Sequence, residues 1–470
     1  MALRLHNTLT GRVEDFHALQ PGRVGMYTCG PTVWNYSHVG NFRAYLFYDL
    51  LRRQLEVSGY QVTHVMNITD VDDRIVDQAA IGGNTIFDYV RHYEQAFHED
   101  LATLRAKRAE VYPRASEHVR EMVALIEKLL ASEHAYVADG DVYFRISSFP
   151  PYGRLSHLDR AGLKVGARVS HDRYDKESAT DFALWKKEQP GDVIVGATWE
   201  APYGRGRPGW HIECSAMSMR YLGETLDIHA GGIDLLFPHH ENEIAQSEAA
   251  TGQAFSRWWL HSEFLADATG EKMSKSLGNF ATLRDLLAAG HDPLAIRFFL
   301  IANAHYRSRL RLDEAALHAA AQQVRRLRDF HERLLAYEPK DGGEWLLQEA
   351  RDARFHYRAA LDDDLNLPQG VGYVFDIVRE ANAAMDAGRL GAGARAELLG
   401  LLADADAHLD VLSGGEAVVD EEVERLIAER EGARAERDFA RADAIREQLR
   451  ERGIQLEDTA GGVRWKRLTP

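Results

Sequence analysis

The sixteen residues from Met26 to Asn41, Met-Tyr-Thr-Cys-Gly-Pro-Thr-Val-Trp-Asn-Tyr-Ser-His-Val-Gly-Asn, constrain the fold more than any other stretch of the chain. The apolar run from Val24 to Tyr27 suits a strand, and Gly30 and Pro31 break it. After Gly40 the spacing of Phe42, Tyr45, Leu46 and Leu50 turns helical. The order is strand, glycine-bearing turn, helix, an arrangement that offers backbone N–H groups and the positive end of a helix to a phosphate. The same junction also serves simply to turn a chain, and Cys29 taken alone reads as inert packing.

The following residues extend the pattern. Phe42 to Gly59 reads as an amphipathic helix and Tyr60 to Ile68 as a second strand, which together make the first βαβ unit of a parallel sheet. That strand runs into a polar cluster, Asn67 to Asp73, at the strand end where open α/β sheets bind ligands; helix capping by Thr69 or Asp70 is the alternative. Residues 85 to 135 look helical, and 136 to 200 look like an insert of short strands and loops rich in Gly, Pro, Asp and Arg. Pro208 to Cys214 then opens a helix, Leu226 to His229 reads as a strand, and Ala230-Gly231-Gly232-Ile233-Asp234 leads to the helix-like Pro238 to Ile244. This is the second half of the sheet. Beyond Leu312 the composition shifts to Ala, Leu, Arg and Glu with helical spacing as far as Leu412, which reads as a helical bundle. The expected class is therefore α/β, a Rossmann-type parallel-sheet core with an inserted segment, then a helical bundle and a small carboxyl-terminal α+β domain.

Composition narrows the partners. A net charge of -16 excludes indiscriminate nucleic-acid binding and leaves room only for a local basic face. No apolar run approaches the roughly 20 residues of a membrane span, and Met1 to Arg12 lacks the apolar core of a signal peptide, so a cytoplasmic enzyme is expected. Two cysteines make no disulfide framework; free, metal-bound or catalytic roles remain.

Three further patterns carry chemistry. His239 and Glu243, four apart, share a helix face and with Cys29 and Cys214 form a ligand set suited to zinc, although a His–Glu pair at this spacing is also a common solvated pair. Glu271 to Asn279 places Lys272 and Lys275 among small residues, where they clamp nucleotide phosphates or form a solvated basic loop. Near the end of the chain, Arg430, Arg434, Arg437 and Arg441 fall on one helical face interleaved with acids, and Ile454 to Arg467 reads as a β-hairpin carrying Arg464, Trp465, Lys466 and Arg467, residues able to stack on and pair with unpaired bases.

Together these motifs resemble the class I aminoacyl-tRNA synthetases, and within them the cysteinyl-tRNA synthetases, over essentially the whole chain. His38-Val39-Gly40-Asn41 is similar to the HIGH signature, and Lys272-Met273-Ser274-Lys275-Ser276 matches KMSKS in full. Asn41 stands in place of the second His, which removes a possible positive charge and keeps a hydrogen-bond donor. Leu361-Asp362-Asp363-Asp364-Leu365-Asn366 resembles the bundle motif of related synthetases, with Leu367 where Thr is more usual. The resemblance divides the chain into 1–135, the first half of the catalytic core; 136–200, a connective insert; 201–265, the second half with the metal site; 266–312, the KMSKS loop and stem-contact region; 313–412, the bundle; and 418–470, an anticodon-binding domain.

The resemblance implies ligation of L-cysteine to tRNA(Cys) at the expense of ATP, through cysteinyl-adenylate, by a monomer holding one Zn2+ and using Mg2+ with ATP. It places the zinc on Cys29, Cys214, His239 and Glu243. His38 and Lys275 fall at the phosphates in the transition state, Lys272 supports the loop, and Asp234 contacts the ribose. Gly40, Asn41, Gly231 and Gly232 line the ATP site, and Thr69, Trp210 and His229 wall the cysteine pocket, although Trp210 read on its own is a core residue. Shape separates serine from cysteine by only about 100-fold. A zinc that ionises a coordinating thiol separates them chemically, so no editing domain is required. Two other readings are a paralogous ligase that transfers cysteine to the amine of a small sugar conjugate, which would lack the last roughly 150 residues, and a non-catalytic zinc protein that binds RNA, which the intact KMSKS stretch opposes.

Overall fold

A computed structural model describes residues 2–157, 181–267, 270, 281–339, 345–412, 426, 427, 429, 430, 432–434, 438–451, 454–459 and 462–467. The chain divides into two compact units, Met1–Asp410 and Val411–Pro470.

The first unit is built on four parallel strands in the order Ser256–Ser262, Leu226–Gly232, Arg23–Thr28 and Gln61–Met66. Their buried faces suit a sheet covered on both sides: Met26, Tyr27, Val65, Ile228, Ala230 and Leu260 are all inaccessible to solvent. From Arg23–Thr28 the chain crosses through the helix Val39–Val57 to Gln61–Met66 on one side. From Leu226–Gly232 it crosses through the helix Glu241–Thr251 to Ser256–Ser262 on the other. The strand order therefore reverses direction between Arg23–Thr28 and Leu226–Gly232, and in such sheets the crevice at the carboxyl end of that reversal receives the ligand.

Between the two halves lie the helices Asp73–Gly82, Ile86–Thr103 and Val119–Ala131, then a four-stranded antiparallel sheet of Ala135–Ala138, Asp141–Phe144, Phe182–Lys187 and Gly206–Pro208. After the core come the helices Glu314–Ala336, Leu347–Asp362, Leu367–Asp386 and Ala392–Leu409. On the first of these Leu317, Ala320, Val324, Leu327 and Leu334 point inward, a stripe at helical spacing. The 361–366 motif is a joint. Its Asp364 carboxylate accepts hydrogen bonds from His6 N, Tyr306 Oη and Arg307 Nε at 2.8, 2.6 and 2.7 Å. Those bonds hold Asp364 and Leu365 at φ 60° and 57°, in the left-handed region that side chains avoid. In the second unit the helix Phe439–Glu451 precedes a hairpin that pairs Ile454–Thr459 with Gly462–Arg467.

Core and bundle are tied together by a buried ionic knot. Asp49 Oδ2 accepts from Arg53 Nε at 2.8 Å and Arg297 Nη2 at 2.6 Å, and Asp49 Oδ1 accepts from Lys107 N at 2.9 Å. The same two guanidinium groups donate to the carbonyls of Ala407, His408 and Leu409, at the carboxyl end of the last bundle helix, where cations are favoured. Burial alone would push the Asp49 carboxyl up, but Arg297 and Arg53 outweigh it and hold the group below its ordinary value. A carboxyl depressed on folding stabilises the protein above its unfolded pKa, about 3.9, and that contribution is lost as pH falls through the lower folded value. Asp49→Asn strips the countercharge from two buried arginines, so it should cost about 3–5 kcal/mol at neutral pH. In urea titrations of the full chain followed by tryptophan fluorescence, the gap between the variant and the parent protein should narrow below about pH 4.

Candidate functional site

The strand Arg23–Thr28 delivers Cys29 directly beyond its last residue, and Cys29 N donates to Ala230 O at 3.2 Å, extending the ladder into the site. Gly30 is required where the chain turns. A Cβ there would lie 1.9 Å from the carbonyl oxygen of Asn67, which no side chain tolerates. Cys214 enters from the helix Trp210–Leu222, His239 from the turn Leu236–His240 and Glu243 from the first turn of Glu241–Thr251.

The ligand atoms of Cys29, Cys214, His239 and Glu243 lie within 4.8 Å of one another, and all four residues are buried. Glu243 Oε1 is 3.1 Å from His239 Nε2 yet is a buried oxygen with no hydrogen-bond partner, as expected where the two atoms aim at a common third point. Two thiols, one imidazole and one carboxylate in a dry cluster fit a four-coordinate zinc ion.

Electrostatics match. Burial pushes the Cys29 thiol well up. Burial acts the same way on Cys214, but the hydrogen bond from Cys29 and the neighbouring His239 outweigh it and bring its thiol to about 6. Burial opposes the charged form of His239 while Glu243 and Cys214 raise it to about 10. Glu243 resists its own burial through His229 and His239 and is lowered to about 2.

Around this cluster stands a set of histidines that sequence reasoning missed. His240 Nε2 is 3.3 Å from Cys29 Sγ, and Cys29, His229, His240 and Glu243 form a second group of donor atoms within 4.8 Å of one another. His240 Nδ1 lies 2.8 Å from His261 Nε2, which in turn reaches Thr8 Oγ1 through Nδ1 at 2.9 Å. His211 Nδ1 lies 3.0 Å from His239 Nδ1 and orients that ring from behind. The dipeptide His239-His240 was the available signal; His211 and His261 arrive from a helix and a strand that only the fold brings near.

The expected pocket walls differ in kind. Trp210 stacks on His239 at 4.3 Å between centroids and is half-buried rather than core. Thr69 is buried and donates to Glu213 Oε2 at 3.1 Å. His229 is fully buried, stacked on Trp259, with Nε2 2.9 Å from Glu243 Oε2. It braces a metal-ligand candidate from behind, whereas the sequence reading made it a wall of the cysteine pocket.

His38 caps the helix Val39–Val57. Its Nδ1 accepts from Asn41 N at 3.2 Å, and Asn41 Oδ1 accepts from His38 N at 3.1 Å, a reciprocal capping box. The neutral ring therefore carries its proton on Nε2. A Cβ on Gly40 would come 2.9 Å from His38 Nδ1, so this glycine makes room for the ring. Gly231 and Gly232 end the strand Leu226–Gly232, and Asp234 stands exposed in the turn after it. Lys272 and Lys275, with Met273, Ser274 and Ser276, lie outside the described residues, as does Arg437. In the second unit Arg430 is buried, while Arg434 and Arg441 are exposed and Arg441 pairs with Glu429 at 2.6 Å. The expected face is thus not one exposed arginine stripe, because Arg430 is buried. Arg464, Trp465, Lys466 and Arg467 fall on the second strand of the hairpin.

Comparison with known proteins matches three stretches of the chain. Residues 15–322 match the family of tRNA synthetases class I (C) catalytic domains, 356–409 the DALR domain and 417–465 the cysteinyl-tRNA ligase anticodon binding domain. The chain is 50% identical to a cysteine–tRNA ligase of Solibacter usitatus, over 99% of this chain and 100% of that one. It is 46% identical to one of Koribacter versatilis, over 99% and 100%. Among solved structures it resembles the Mycobacterium tuberculosis methionyl-tRNA synthetase in complex with methionyl-adenylate (TM-score 0.58, 14% identity, 83% of this chain and 89% of that one). It also resembles the agnB2 LeuRS of Agrobacterium radiobacter K84 in its ternary complex with tRNA and LeuAMS (TM-score 0.60, 12% identity, 86% and 87%). At such identities these two likenesses concern the fold.

Replacing Cys214 by Ser should empty the site of zinc, read by atomic absorption on purified protein. In the metal-free parent protein Cys29 and His239 each carry a proton at neutral pH. Loading should therefore release about two protons, visible with an indicator dye in weak buffer, and zinc affinity should fall as pH is lowered.

Proposed function

The chain belongs to the cysteine–tRNA ligases, an aminoacyl-tRNA synthetase family of class I, and from that premise we propose that it activates L-cysteine with ATP and passes it to tRNA(Cys) in two steps at the sheet's carboxyl edge. One observation carries this reading: two thiols, an imidazole and a carboxylate converge within 4.8 Å at the point where the strand order reverses. A thiol-rich metal site has no role in binding ATP, but it is the chemistry needed to tell cysteine from serine.

The carboxylate of cysteine attacks the α-phosphate of ATP and pyrophosphate leaves. A terminal ribose hydroxyl of the tRNA then attacks the activated carbonyl and AMP leaves. Little covalent work falls to the protein, so its contribution is positioning and stabilisation of charge. His38, with its proton on Nε2, donates to the phosphates, and the capping box holds its ring in place. Lys275 meets the charge that grows on the departing pyrophosphate, and Lys272 supports the same loop. Gly40, Asn41, Gly231 and Gly232 line the nucleotide site, Asp234 takes the ribose, and Mg2+ accompanies ATP. Zinc held by Cys29, Cys214, His239 and Glu243 supplies, when bound, a soft Lewis acid that prefers a thiolate to a hydroxyl. Trp210, stacked on His239, closes the thiol end of the pocket. In the second unit Arg434, Arg441 and the strand Gly462–Arg467 offer cations and an aromatic residue to unpaired bases of the tRNA.

Cysteine-dependent exchange of pyrophosphate into ATP, followed by transfer of cysteine to tRNA, tests the reading directly. Lys275→Ala should slow the exchange by about 100-fold or more, the scale for losing one preorganised donor, with little change in cysteine affinity. Normal exchange in that variant would remove Lys275 from the assigned role. Ending the chain at Ser413 should leave exchange largely intact and sharply weaken charging of tRNA. Equal charging by the truncated and full chains would mean that the second unit does not read the RNA.

A further inference from the structure

A turn at residues 281–285 is built against His38, and one arginine on it reaches the elements on either side. Thr282 and His38 pair as an isolated antiparallel bridge, and Val39 N donates to Ala281 O at 2.8 Å. Thr282 and Asp285 then close a reciprocal capping box that starts the helix Leu283–Ala288, with Thr282 N donating to Asp285 Oδ2 at 2.8 Å and Asp285 N to Thr282 Oγ1 at 3.1 Å. Arg284, inside that box, crosses to the helix Ile86–Thr103. Its Nε donates to Asp100 Oδ1 at 3.0 Å, and its Nη2 donates to Glu99 Oε2 at 2.8 Å and to Ala96 O at 3.4 Å. The two carboxylates are not equivalent. The Asp100 side chain is 5% exposed and that of Glu99 51%, so solvent screens Glu99 and leaves Asp100 to set the geometry. Burial pushes the Asp100 carboxyl up to about 6 against the pull of Arg284, which leaves it ionised at neutral pH.

The same guanidinium lies over the ring of Tyr36, 5.1 Å from its centroid. Tyr36 stands two residues before His38, and the helix Ile86–Thr103 holds that loop as well. Tyr36 Oη lies 2.6 Å from His92 Nε2, the Tyr36 ring packs edge-on against Tyr93, and Tyr89 Oη donates to Trp34 O at 2.7 Å. His38 therefore sits between two segments, the loop that precedes it and the turn that pairs with it. Arg284 touches the first through Tyr36, belongs to the second, and ties both to one helix through Asp100. The capping box with Asn41 sets the His38 ring on its own helix, and the Arg284 contacts set His38 against the turn.

We propose that Arg284, with Asp100 as its fixed partner, is a positioning residue for His38 in the first step, the attack of the cysteine carboxylate on ATP. The proposal rests on the ligase reading above and deepens it. Displacing a reacting group by about 1 Å can cost about 100-fold in rate. A contact that never meets the substrate is then felt in the rate of adenylation and not in the binding of cysteine, which is read at Cys29 and Cys214.

The test reads kcat and KM for cysteine-dependent exchange of pyrophosphate into ATP by the zinc-loaded full chain. Arg284→Met keeps the reach of the side chain and removes its donors, so it should lower kcat by about 10- to 100-fold and leave the KM for cysteine and the melting temperature unchanged. Asp100→Asn should act in the same direction, and Glu99→Gln should change neither constant. His38→Asn keeps a side chain that caps a helix and removes the ring being positioned. Adding Arg284→Met to His38→Asn should therefore cost less than about 3-fold more, because the two residues act as one unit. A staple that serves only the fold would lower kcat by the same factor in both backgrounds, and that result overturns the proposal. An unchanged kcat in Arg284→Met, a loss of cysteine affinity as large as the loss of kcat, or an effect of Glu99→Gln equal to that of Asp100→Asn also overturns it, and each leaves the ligase reading in place. If Arg284→Met does not fold, Asp100→Asn decides by the same comparison with His38→Asn. A parent protein with no cysteine-dependent exchange overturns the ligase reading itself, and the proposal with it.

Discussion

The strand Arg23–Thr28 is hydrogen-bonded along both edges, to Gln61–Met66 on one side and to Leu226–Gly232 on the other, and the site depends on that double pairing. Tyr27 faces Val65 across one ladder and His229 across the other. A shift of one residue in either register would turn Cys29 to the opposite side of its strand and separate it from Cys214, His239 and Glu243. Burial makes such a slip expensive, because Met26 to Thr28, His64 to Met66 and Ile228 to Ala230 are buried on both faces of the sheet. The cluster of ligands is thus specified by sheet register first and by side-chain chemistry second.

Local pattern carried the sheet well. The lead-in from Val24 to Tyr27, the break at Gly30 and the helical spacing after Gly40 correspond to the strand Arg23–Thr28 and the helix Val39–Val57, because both elements bury a regular apolar face. The four candidate metal ligands could be assembled from residue type and family resemblance, and the structure brings their ligand atoms together. What stayed hidden was everything supplied at long range. The bracing of Glu243 by His229 and of His239 by His211 depends on contacts 14 and 28 residues apart, and nothing in local periodicity marks a histidine that supports a ligand. The role of Asn41 was hidden for another reason: its side chain closes a capping box on His38, a function that resemblance to a catalytic signature does not announce. Arg430 misled because helical spacing places residues on one face without saying whether that face meets solvent or the interior.

The histidines also bear on how rigid the site is. His211, His229, His240 and His261 are fully or nearly fully buried, and burial pushes His211, His240 and His261 down so that they remain neutral. Neutral imidazoles both donate and accept, which lets each ring satisfy a neighbour without adding charge to a cluster that already holds thiolate and carboxylate. Stacking of His229 on Trp259 and of Trp210 on His239 restrains ring rotation. Ligand atoms so held lose little conformational freedom when an ion arrives.

The ionic knot at Asp49 has a consequence for how the chain is made. Its carboxylate lies on the first helix of the sheet, Arg297 comes 248 residues later, and Arg53, four residues from Asp49, reaches Asp410 across 357. A ribosome adding about 5–20 residues per second needs roughly 20–70 s to travel from Asp49 to the end of the first unit, and throughout that time the knot cannot close. Cys29 emerges before Asp49, so one thiol of the metal site is synthesised long before the scaffold that buries it is complete. The nascent chain therefore passes through a long interval in which Cys29 lacks the residues that enclose it, and that interval ends only when the second half of the sheet brings Cys214 and His240 against it.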